Sequence, residues 1–254
     1  MNEPPARSRA NALLHTMTGH SEPSPPLSCP PADLRRRVLA AVEGEPSRTR
    51  RQQQVRNAAL TLFGGVVPLV LFFWKGGLRQ DPRPDVLVLE TAGGAACAAF
   101  VAGVLAFSRG RSMLGRRRAS LLVLTVAAPV ALLLLKIGPS AQFPGMMASW
   151  AERRGFRCLW LGVLLAPAPL LAVLLSRRGT SPAHPTAAGA AMGAAVGACV
   201  WVLVDLWCPV AYIPHLFIGH VLPVVLTTVV GAFFGTRILD LPGLRRGNAR
   251  ESRG

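Results

Sequence analysis

The sequence predicts an all-α polytopic membrane protein, a six-transmembrane-helix bundle with both termini in the cytoplasm. The first observation is length and apolarity. Six stretches of roughly twenty mostly apolar residues fill almost everything after Arg56, and a hydrocarbon core about 30 Å thick needs roughly 20 helical residues to cross it. The second is continuity. Lipid forces a span to satisfy its backbone polar groups internally, which leaves helices or closed barrels. These stretches are too long and too solidly apolar for the alternation of barrel strands. The third is an uneven distribution of Lys and Arg between the spans, which orients the bundle.

Composition agrees. Hydrophobic residues make up 51% of the chain, and 28 Lys and Arg against 12 Asp and Glu give a formal charge of +16. In a soluble chain that charge would suggest nucleic acid. Here the arginines flank apolar spans, so anionic lipid headgroups are the expected counter-charge and no direct nucleic-acid contact is expected. Residues 1–55 lack the short apolar run and small-residue cleavage site of a signal peptide.

Taken in order, residues 1–30 are rich in Pro, Ser and other polar residues and read as a disordered extension. Residues 31–55 form a basic cytoplasmic segment with a short amphipathic helix. Pro31 suits a first helical position, and Leu34, Val38, Ala41 and Val42 recur at helical spacing around Arg35, Arg36 and Arg37. Gly44 and Pro46 end it. Such a helix either lies on the inner leaflet or docks a cytoplasmic partner. Its candidate partner contacts are Leu34, Arg36, Val38 and Val42.

The transmembrane domain, residues 56–236, carries spans at roughly 56–74, 86–108, 119–138, 157–176, 186–207 and 213–235. A basic tail, 237–254, follows. Counted over alternate segments, 21 Lys and Arg fall on one side and 7 on the other. The basic side is read as cytoplasmic. Pro68, Pro129, Pro167, Pro169 and Pro223 predict kinks, tolerated where neighbouring helices re-satisfy the freed carbonyls. Gly189, Gly193 and Gly197 recur every four residues among alanines, the stripe that lets helix backbones approach closely in lipid.

Polar residues gather toward the outer half: Glu90, Lys136, Arg157, Cys158, Asp205, Cys208, His215 and His220. Ionisable groups at such depths are costly and suggest function by default. The densest run is Asp205-Leu206-Trp207-Cys208-Pro209, followed by His215 and His220. Asp205 and Cys208, three apart, share a helix face, and Asp205 continues the glycine stripe into the bundle. His215 and His220 are five apart, which is not the four-residue spacing of a helical zinc pair. Thiolate, imidazole and carboxylate still make a reasonable ligand set for zinc or a softer metal, with Cys208, His215 and His220 as candidate metal ligands.

Of five cysteines, Cys29 is in the N-terminal tail, and Cys97 and Cys199 sit mid-span and read as packing residues. Cys158 and Cys208 alone reach the outer boundary, at one depth, where an oxidising compartment permits a disulfide. A bridge requires Cα atoms within about 7 Å. A thiol or metal sensing pair, a structural disulfide and uninvolved residues all stay open. No phosphate loop, nucleophile elbow, EF-hand or mid-membrane carboxylate pair is present.

A basic N-terminal segment, six spans, Arg157-Cys158-Leu159 at the head of the fourth, an Ala/Gly-rich fifth ending in Trp207-Cys208-Pro209, and Gly231 with Gly235 in the sixth together resemble the NrsF-type membrane anti-sigma factors. The resemblance covers roughly residues 31–238. It implies a protein that holds an extracytoplasmic-function sigma factor inactive at the bacterial inner membrane and releases it on an envelope signal. It implies that the family's paired outer cysteines fall on Cys158 and Cys208, and that the sigma-contacting segment lies within residues 31–55. The chain departs from the expected pattern after Cys208-Pro209, with His215 and His220 in place of aromatic residues. The reading is therefore an anti-sigma factor and not an enzyme. Its signal-sensing candidates are Cys158, Cys208, His215, His220 and Asp205, its partners a sigma factor and the bilayer, and a metal ion its one conceivable cofactor. A small transporter or metal exporter is the alternative, though the inner half of the bundle lacks a continuing polar path. An integral-membrane enzyme with Cys208 as nucleophile and His220 as base is the second alternative.

Overall fold

A computed structural model describes residues 32–33, 36, 39–40, 50–78, 83–107, 117–147, 155–178, 180 and 182–239. The chain divides into two units, residues 1–47 and 48–254. In the first unit every described residue is helical and exposed, Arg36 and Leu39 among them. Leu34, Val38 and Val42 lie outside the described residues, as do 1–31 and 240–254.

The second unit is an all-helical bundle with no strand among the described residues. Its six long helices are α1 (Arg50–Trp74), α2 (Asp85–Phe107), α3 (Arg118–Ser140), α4 (Phe156–Ser176), α5 (Pro185–Trp207) and α6 (Ile213–Ile238). All six are long and apolar enough to cross a membrane. The expected spans are thus all helical, with small shifts at the ends. α1 begins six residues early because its polar first turns continue the helix beyond the apolar run, and α6 runs on to Ile238 with Arg237 stacked over Phe233 at 4.5 Å. The outside of the bundle is apolar: Phe100, Trp74 and Trp160 are each more than 70% exposed. A soluble monomer rarely shows such a surface, whereas lipid-facing helices must.

α5 is the central helix. It is buried along most of its length and packs against α6, α2 and α3, while α1 pairs chiefly with α4. The glycine stripe explains the tightest of these contacts. A Cβ on Gly189 would stand 2.8 Å from the Gly235 Cα, one on Gly193 would stand 2.9 Å from the Thr228 Cα, and one on Gly197 would stand 2.9 Å from the Val224 Cα. The two backbones therefore touch through positions that only hydrogen can occupy. Gly193→Ala is expected to destabilise the solubilised protein by about 1–3 kcal/mol, the usual cost of overpacking, read as a lowered thermal midpoint. Ala195→Gly on the same helix serves as the control.

One interruption falls where a kink was predicted, and a second feature was not expected. α4 is interrupted at Ala166, where Pro167 and Pro169 each remove a backbone donor from the helical ladder. In addition, α2 and α6 each contain one turn of π-helix, Leu89–Gly93 and Phe217–Val221. The packing role expected for Cys97 and Cys199 is corrected: both are exposed.

Candidate functional site: a buried thiol–imidazole centre

The site forms where the start of α4, the segment after α5 and the start of α6 meet. Gly155 precedes α4 with φ of 78°, a left-handed conformation that favours glycine. A Cβ there would also meet the His215 carbonyl at 2.9 Å. Across from it, a Cβ on Gly219 would meet the Cys158 Cβ at 2.9 Å. These two glycines let α4 seat directly on the π turn of α6 and aim Cys158 at the histidines.

The π turn solves the spacing problem. Its hydrogen bonds run i to i+5, so residues five apart stack on one face. His215 and His220 accordingly lie with ring centroids 5.8 Å apart. Trp201 of α5 packs edge-on beneath His220, its ring centroid 5.1 Å away.

Cys158, Cys208, His215 and His220 converge, and one ligand atom from each lies within 4.8 Å of the others. The His215 Nε2 is 3.1 Å from the Cys208 Sγ and 3.4 Å from the Cys158 Sγ. All four residues are at most 4% exposed. Neither ring nitrogen of His220 has a hydrogen-bond partner, an uncommon state for a buried polar group. The Cys158 side chain is the largest influence holding the Cys208 thiol well below the ordinary thiol range; burial pushes it upward, and His215 and His220 draw it down again. The thiolate is the form that binds metals and attacks electrophiles.

Of the other expected residues, Asp205 lies outside the cluster. Its carboxylate pairs with Lys136 at 2.5 Å, both side chains at most 3% exposed, and no hydrogen bond supplements the pair at Asp205. Lys136 also donates to the Cys208 carbonyl at 3.4 Å. Arg83 donates to the carbonyls of Asp205 and Leu206 at 3.0 and 2.9 Å. These cations cap the C-terminal end of α5, where the backbone leaves carbonyls unpaired, and so fix the point from which Cys208 emerges. Arg83 was not expected in this role; its position just before a span gave the only hint. Glu90 and Arg157 are exposed and take no part.

Fold and site together define a polytopic helical membrane protein with a buried two-thiol, two-imidazole centre near one end of its bundle. The chain belongs to the NrsF family, whose model, described as a negative regulator of sigma F, matches residues 41–240. Membership makes it a negative regulator of a sigma factor, and a sigma factor its partner. Neither a curated protein nor a solved structure matches the chain.

Proposed function

We propose that this protein is a membrane anti-sigma factor that sequesters an extracytoplasmic-function sigma factor at the bacterial inner membrane and releases it when a soft metal ion engages the thiol–imidazole centre. The observation that carries the reading is the convergence of Cys158, Cys208, His215 and His220 in a member of a sigma-regulating family. Catalysis has no part in it, and neither does DNA contact by this chain.

The donor set suits such an ion. Tetrahedral zinc with two sulfur and two nitrogen ligands places neighbouring donors about 3.3–3.8 Å apart, and the four ligand atoms here need only small shifts to reach that. Ligation would employ one of the two otherwise unpartnered nitrogens of His220. Two thiols with two imidazoles also favour soft or borderline cations over magnesium or calcium.

The excess of basic residues in alternate segments supports termini in the cytoplasm and a centre toward the envelope. The sigma factor docks on residues 31–55, with Leu34, Arg36, Val38 and Val42 as contacts; the exposed Leu39 adds to the apolar side of that helix. Ligation ties the head of α4 to the α5–α6 pair and so favours one of two bundle packings. Moving such an equilibrium from 1:99 to 99:1 takes about 5.5 kcal/mol of differential binding, within the reach of a few metal–ligand bonds. A second reading, disulfide formation, is favoured by the closeness of the two sulfurs. It requires a thiol oxidant to remove two electrons and two protons.

The test reconstitutes the full chain with its sigma factor in vesicles. Zinc or cuprous ion outside should release the sigma factor, and deletion of residues 31–55 should abolish capture. Release by diamide alone would favour the disulfide. Release by neither agent would overturn the sensing role, and capture that survives the deletion would overturn the docking role.

A further inference from the structure

α5 is buried on nearly every side, yet Cys199 in its middle is open. The opening is a groove of about 450 Å³ between α1, α2, α4 and α5, with walls that include Leu60, Phe107, Val173 and Val196. It persists because the residues facing it at Gly103 and Ala195 are too small to close it. A gap of this size facing hydrocarbon fills with whatever apolar matter the bilayer offers, since an empty one forfeits dispersion contacts.

One end of the groove is cationic. Arg177 lines the rim and donates to the Phe107 carbonyl. Arg56, one turn before Leu60 on α1, reaches the Leu175 carbonyl at 3.5 Å, and its Nε is buried without a hydrogen-bond partner. This end is the far end of α4 from Cys158, and it is also lined by Phe107, the last residue of α2. Apolar walls with the Arg177 guanidinium at the rim, and that of Arg56 close by at the Leu175 carbonyl, match an amphiphile with an acidic head, because guanidinium pairs with phosphate through two parallel hydrogen bonds. A peptide strand would fit poorly, since its backbone polar groups would go unpaired along the apolar walls.

We infer that this groove is a binding site for one anionic phospholipid, its acyl chain lying along Cys199 and its phosphate meeting Arg56 and Arg177. The test places the full-length protein in nanodiscs containing phosphatidylglycerol or phosphatidylcholine with a diazirine on the acyl chain. After illumination, the labelled peptides are mapped. Labelling of residues 195–199 should be stronger with phosphatidylglycerol by about fivefold for each arginine that meets the phosphate, while labelling at the lipid-facing Phe100 should not differ. Arg177→Gln and Arg56→Gln should each reduce the preference, and Arg177→Lys should retain most of it. Equal labelling by the two lipids would reduce the groove to ordinary boundary lipid and overturn the inference. That wild-type comparison stands even if a variant fails to fold.

Discussion

Cys208→Ser is expected to weaken zinc or cuprous-ion binding by the solubilised chain by more than about a hundredfold, since even outer partners of metal ligands cost 10–100-fold when removed. Cys208 is the hinge of the centre. It hydrogen-bonds His215 at 3.1 Å and lies on the short segment between α5 and α6, so no other donor can replace it without rebuilding that segment. A competing chromogenic chelator measures the affinity. The same variant should still capture the sigma factor yet fail to release it on metal addition. Unchanged affinity in Cys208→Ser would remove the centre as the binding site. Lost capture would instead point to a structural role.

The second large effect concerns the buried ion pair. Asp205→Leu should lower stability by about 3–5 kcal/mol, because the Lys136 ammonium, 3% exposed, would lose its counter-charge. Lys136→Met should cost a similar amount. The double variant Lys136→Met with Asp205→Leu should recover much of the loss, as paired apolar replacements of buried ions often do. Thermal unfolding of the four proteins in one detergent closes the cycle. Additive losses would mean that the two side chains do not act as a pair. Because Arg83 and Lys136 grip the end of α5 from which Cys208 departs, the variants also report whether that grip positions the centre.

Much of this was legible beforehand, for identifiable reasons. The six helices announce themselves because lipid makes apolarity along the whole length obligatory. The glycine stripe at 189, 193 and 197 pointed to a close helix pair, and α6 proved to be its partner through Gly231, Gly235 and the backbone near Thr227. Cys158 and Cys208 were separable from Cys97 and Cys199 by depth alone. The two histidines were harder. Five-residue spacing argues against a helical pair in an α-helix, and a π turn leaves no residue signature to reverse that argument. The partner of Asp205 was equally hidden. Its burial followed from the stripe, but whether it faced the thiols or Lys136 depended on how α3 packs against α5, which one chain's periodicity does not encode. Cys199 was misjudged for a related reason. A cysteine among alanines looks like core until the helices around it leave a groove.

The π turn in α6 bears on how this thiol–imidazole cluster can arise or vanish. A π turn holds one residue more than the ordinary helical ladder requires, so the meeting of the two imidazoles hangs on chain length as well as on identity. Losing a single residue between Phe217 and Gly219 would restore the common ladder and swing His215 about 100° around the axis relative to His220. Every ligand would survive in the sequence, and the centre would still be dismantled. Evolution could thus make or break this cluster by one codon's insertion or deletion, a change that residue-by-residue comparison of the two cysteines and two histidines would overlook.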